Sequence, residues 1–107
     1  MSDQHRYRRL EQLEEFTGQY EAIVARHSST VITPVLDGIF WGISKNPRAY
    51  EKAKGKLRSV KSKSLGLTVP RFWILFEIQN EDQDDEYVLL CWIEEISETE
   101  EIMGSLQ

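Results

Sequence analysis

Two apolar strands, neither with a wholly polar face, dominate the reading of this chain. Phe72, Ile74, Phe76 and Ile78 alternate with Trp73, Leu75, Glu77 and Gln79, the two-residue period of a β-strand. Tyr87 to Ile93 (YVLLCWI) is a second such run, and the acidic stretch Asn80 to Glu86 (NEDQDDE) between them suits a hairpin loop. Both strands carry large apolar side chains on both faces at their centres. One face can lie under helices. The other, with Trp73, Leu75, Leu90 and Trp92 as candidates, needs a lid, a partner or a groove.

The helices come first in the chain. Leu10, Leu13, Phe16, Tyr20, Ile23 and Val24 recur at helical spacing, with Glu11, Glu14, Glu15 and Glu21 turned the other way. The segment from His27 to Thr30 breaks that pattern. Thr33-Pro34 reads as an N-cap followed by proline in a first turn, ahead of Val35, Leu36, Ile39, Phe40 and Ile43, and Asn46-Pro47 ends the run. Gly38 and Gly42, four apart, hint at close packing against the first helix. Arg48 to Lys54 reads as helical or turn-like, Lys56 to Lys61 as a short strand of mixed faces, and Ser62 to Val69 as a loop closed by Pro70. The resulting expectation is an α+β domain: an N-terminal helical hairpin packed on a small antiparallel three-stranded sheet. With 107 residues the chain makes one domain, 1–107, carrying an acidic C-terminal segment from about 97 to 107.

Charge is distributed in blocks. Thirteen Lys and Arg stand against eighteen Asp and Glu, a formal net charge of −5. Yet eight of those cations fall between Lys45 and Lys63 with one acid, Glu51, whereas Phe72 onward has eleven acids and no Lys, Arg or His. A net-acidic protein repels nucleic acid at long range, but a local basic block binds phosphate at close range. The longest apolar run is too short to span a bilayer and the N-terminus lacks an apolar signal core, so a cytoplasmic protein with no membrane role is expected. The single cysteine, Cys91, excludes an internal disulfide.

Few residues suggest a reaction centre. His5 and His27 lie far apart and no Cys or His cluster has ligand spacing, so neither metal nor cofactor is expected. Cys91, between Leu90 and Trp92, reads as a buried inert thiol. Glu77, Glu94 and Glu95 are the available carboxylates for acid–base work, although solvated charge is the simpler reading at strand ends. The basic strand Leu57 to Gly66 (LRSVKSKSLG) stands out instead. Alternation puts Arg58, Val60 and Ser62 on one face and Leu57, Ser59, Lys61 and Lys63 on the other. Such cations hold either nucleic-acid phosphates or an acidic partner segment.

The second helix LDGIFWGISKNPRAY, the basic strand LRSVKSKSLG, the proline-led strand PRFWILFEI and the last strand YVLLCWIEEI form an ordered set. In that order they resemble the RelE/ParE superfamily of toxins from type II toxin–antitoxin modules, over about Leu36 to Ile96. The resemblance implies a cognate antitoxin as partner, with the ribosome and mRNA, or DNA gyrase, as target; a homodimer stays open. It also implies a short strand ahead of the helical hairpin, for which His5 to Arg8 is too brief. Arg58, Lys61 and Lys63 match the basic-strand residues that lie near the mRNA backbone in the RNase branch, and Lys56 and Arg71 extend that set of nucleic-acid or antitoxin contacts. That branch usually carries an arginine mid-strand, where this chain has Trp73. It also has basic, Tyr or His residues after its last strand, where this chain has acids and small or apolar residues. The reading is therefore a toxin component, or a diverged descendant with a binding rather than cutting role. The alternatives are a ribosome-dependent endoribonuclease and a small interaction module without toxicity.

Overall fold

A computed structural model describes residues 7–27, 29–62 and 70–96. The elements run β1 (Arg9–Gln12), α1 (Glu14–Arg26), α2 (Ser29–Lys45), a 3₁₀ turn (Pro47–Ala49), β2 (Lys52–Lys54), β3 (Leu57–Lys61), β4 (Arg71–Gln79) and β5 (Tyr87–Ile96). The class is α+β, as expected, but among the described residues the sheet has five strands rather than three, in the order β1-β5-β4-β3-β2. It is also mixed rather than antiparallel, because β1 pairs with β5 in parallel.

Leu10 belongs to that added strand and not to the first helix, which begins at Glu14. The segment RLEQ has no alternation to announce a strand; its extended form comes from pairing with β5, Leu10 beside Val88 and Gln12 beside Leu90. The helical stripe proper starts at Phe16, buried with Ile23. Glu14 and Glu15 sit in the first turn, where the dipole favours them.

The second helix starts earlier than its Thr-Pro pair suggests. Pro34 lies inside α2, where it removes the hydrogen bond its N–H would give to Thr30. Ile32, Leu36 and Ile43 are fully buried at helical spacing, and Ile32 lies upstream of the proline. Burying that side chain is worth roughly 1.5–3 kcal/mol, enough to offset much of the proline penalty of about 3 kcal/mol.

Both helices cover one face of the sheet, where Phe72, Ile74 and Phe76 of β4 meet Val88, Leu90 and Ile93 of β5 in one core. Leu90 thus belongs to the covered face, contrary to simple alternation. Leu75 pairs with Trp92 and Phe76 with Leu90, so Cys91 is an extra residue, a β-bulge, and the residues beyond it change parity. The side chain of Gln19 on α1 serves this bulge: its Oε1 accepts the Ile93 N–H at 3.0 Å. Leu89 takes the place expected of Leu90 on the open face.

The two α2 glycines have separate roles, and neither was placed by packing against α1. A Cβ on Gly42 would lie 2.6 Å from the Tyr50 hydroxyl, whereas one on Gly38 would meet nothing within 4 Å. Gly38→Ala should therefore stabilise the fold by about 0.5–1 kcal/mol through helix propensity. Gly42→Ala should lose that gain because Tyr50 must move. Thermal melts of the two variants check the contrast.

Candidate nucleic-acid or partner interface

The cations of the basic segment are sorted by strand pairing. Arg58 opposes Phe76 and Val60 opposes Ile74, which puts both on the helix-covered face. Arg58 is half-buried there and its Nη1 donates to the Tyr50 carbonyl at 2.8 Å. Lys61 opposes Trp73 and is exposed on the open face. Alternation along β3 was thus read correctly, and it separates Arg58 from Lys61.

Arg71 joins Lys61 at the same end of the sheet. Ser62 arranges this: its N–H donates to the Phe72 carbonyl at 2.9 Å, and its Oγ accepts the Phe72 N–H at 2.8 Å. Its carbonyl accepts Arg71 Nε at 3.0 Å. Lys56 lies at the opposite end of β3, in the turn after β2. Lys63 lies outside the described residues. The five expected contacts therefore do not form one ribbon: Lys61 and Arg71 share one end of the open face, while Lys56 and Arg58 sit at the far corner.

The open face carries cross-strand rows. Lys61, Trp73 and Glu94 form one; Ser59, Leu75 and Trp92 form the next; Glu77, Leu89 and Glu11 follow, then Gln79, Tyr87 and Arg9. Trp73, Leu75, Leu89 and Trp92 are all half-buried, an apolar stripe that no described helix covers. Trp92 Nε1 donates to Glu94 Oε1 at 3.0 Å, and the Arg9 guanidinium stacks on the Tyr87 ring at 4.5 Å. The stripe is consequently framed by charge at both ends.

Acid–base candidates are dispersed. Glu94 and Glu77 lie on different strands with the Leu75–Trp92 row between them, and Glu95 points to the helix side, opposite Phe72. There Glu95 Oε1 lies 2.8 Å from His27 Nε2 and 3.2 Å from Arg26 Nη2. Burial alone would raise the Glu95 pKa, but these two partners hold it below the ordinary value. Burial pushes the Cys91 thiol up to about 11, so it stays protonated at neutral pH. Among the described residues no three His, Cys, Asp or Glu side chains converge as a metal site. No described helix is long and apolar enough to cross a membrane.

Lys52 was missed in the sequence. Its register places it opposite Arg58, on the helix-side face, while Lys54 opposes Leu57 on the open face. Two lysines two residues apart point to opposite faces because Ala53 is an extra residue between them. Nothing in the KAK triplet announces that bulge.

The fold and these surfaces define an α+β domain with a helical hairpin on one sheet face and an apolar, charge-framed stripe on the other. Comparison with known proteins found no family model, no curated protein and no solved structure that matches the chain.

Proposed function

We propose that this chain is a RelE/ParE-like toxin component of a type II toxin–antitoxin module, diverged so that it acts by binding its target. The observation that carries the reading is element order. A short strand precedes the helical hairpin, and a basic strand, a proline-led strand and a final apolar strand follow it, which is the order the resemblance calls for. The open stripe of Trp73, Leu75, Leu89 and Trp92, with Lys61 and Arg71 at one end, suits cover by an antitoxin segment carrying apolar and acidic side chains. Binding is favoured over cutting because metal-independent RNA cleavage needs a base and an acid beside the scissile phosphate. Here Glu95 and His27 engage each other on the face opposite Lys61.

Expression of the chain should arrest growth, and co-expression of a small protein encoded beside it should relieve the arrest. Ribosome-bound mRNA should stay intact in arrested cells. Lys61→Ala combined with Lys63→Ala should weaken target binding about tenfold or more, roughly 1.4 kcal/mol, and so raise survival at equal protein level. Arrest with cleaved mRNA would move the assignment to the endoribonuclease. A second reading, a non-toxic interaction module, is favoured by the separation of the cations over two faces; growth without arrest would select it.

A further inference from the structure

We propose that the corner bounded by Lys52, Lys56 and Arg58 is a binding site for a phosphate monoester. This corner lies on the helix-side face, away from the Lys61 and Arg71 end, and the inference does not depend on the toxin reading.

Lys52 and Arg58 are opposed in register and so project to one side of the sheet. Lys56 follows Gly55, whose φ of +57° makes the tight turn that returns the chain beside them. The three cations line a cavity of about 120 Å³, with Ile78 among its walls. That is room enough for a tetrahedral oxyanion.

The charges at this corner are available. Among the described residues, none of the three cations has a carboxylate partner within ion-pair distance. The bond from Arg58 Nη1 to the Tyr50 carbonyl fixes the guanidinium while leaving its other N–H groups to a ligand. One acid, Glu81, also lines the cavity; its Oε2 lies 3.3 Å from Arg48 Nε, a guanidinium it shares with Asp82 and Glu86, so three cations face one carboxylate here.

Three cations select the group with the highest charge per volume. A phosphate monoester carries close to two negative charges at neutral pH and presents three acceptor oxygens, against one charge for a carboxylate or an internal phosphodiester. A diester would also have to lead two chain arms out of a small cavity. A terminal phosphate needs one exit. The ligand is therefore either a small phosphorylated compound or the phosphorylated end of an oligonucleotide, which share this group.

Amide-resolved NMR titrations of the full chain test the proposal, with inorganic phosphate and with one short oligonucleotide bearing either a 5′-phosphate or a 5′-hydroxyl. Inorganic phosphate should shift the amides around Lys52, Lys56 and Arg58. Lys52→Gln with Lys56→Gln should weaken its binding about tenfold or more, and Lys54→Gln, on the opposite face, less than about twofold. Lys61→Ala should leave phosphate binding unchanged, which separates this test from that of the toxin reading. Affinity for the 5′-phosphate oligonucleotide should rise from pH 5.5 to pH 7.5 as its terminal phosphate monoester loses its second proton near pH ~6. Preference for the 5′-phosphate oligonucleotide assigns the ligand to a nucleic-acid end. Equal binding of the two oligonucleotides assigns it to small phosphates. Shifts spread over all surface lysines, or equal losses in the Lys54 and Lys52/Lys56 variants, would overturn the site.

Discussion

Acidification from about pH 5 to about pH 2 should remove on the order of 2–3 kcal/mol of folding stability, and Glu86→Gln should abolish most of that dependence. Glu86 closes the β4–β5 hairpin at the centre of an ion-pair network. Arg48 grips its carboxylate with both Nη atoms, at 2.6 and 3.1 Å, and Arg8 Nε donates at 2.9 Å. The Asp82 N–H adds a bond of 2.8 Å. Hydrogen bonding from Arg48 outweighs burial and lowers the Glu86 pKa from 4.5 to about 2. A depressed carboxylate pKa stabilises the fold fully above the unfolded-state value and loses that contribution as pH falls through the folded-state value. The full shift would correspond to about 3.4 kcal/mol; part-exposure of both arginines reduces it to the range given. Glu95 contributes with the same sign through His27 and Arg26. At pH 7 Glu86→Gln should cost about 2–3 kcal/mol, because it strips two half-buried arginines of their main counter-charge. Urea unfolding at pH 7, pH 5 and pH 2 measures both effects. Equal pH slopes in variant and parent would rule out this role for Glu86.

This network also shows where sequence reading stops. The NEDQDDE segment was legible as a polar hairpin loop, and the left-handed backbone at Asn80 and Asp82 agrees with residues that tolerate it. That Glu86 would be its one nearly buried acid depends on Arg8 and Arg48, which arrive from other parts of the chain. The same division holds for the fold. Periodicity identified the hairpin of helices and the two apolar strands, since each buries its own stripe. It missed β1 and β2, short edge strands whose extended form comes from their neighbours. It placed Leu90 on the wrong face because one extra residue, Cys91, reverses the parity of everything after it. Of the site, alternation gave the faces of Arg58 and Lys61, since β3 is regular. It could not give the face of Lys52, which a bulge determines, nor the placing of Arg71 at the Lys61 end, which the β3–β4 register and the Ser62 bonds set.

Phe76→Ala and Leu75→Ala should differ by several kcal/mol although the two residues are adjacent. Phe76 is fully buried under the helices, edge-on to Tyr50 with ring centres 5.8 Å apart, and opposed to Leu90. Its removal takes away a large apolar side chain and leaves a cavity walled by Tyr50, whose hydroxyl is already held against Gly42. The expected cost is about 3–5 kcal/mol, a large part of the 5–15 kcal/mol typical of a whole domain. Leu75 stands on the open face between Ser59 and Trp92, half-buried by its neighbours alone. Its truncation should cost the isolated protein about 1 kcal/mol, from the area that stays covered. Denaturant midpoints at unchanged slope measure the two values. If Leu75→Ala proves as costly as Phe76→Ala, the open stripe is part of a second core in the isolated chain, and the partner-covered surface is lost with it. If the costs separate as expected, a partner seated on the stripe should bind Leu75→Ala more weakly and Phe76→Ala, where folded, at parental affinity.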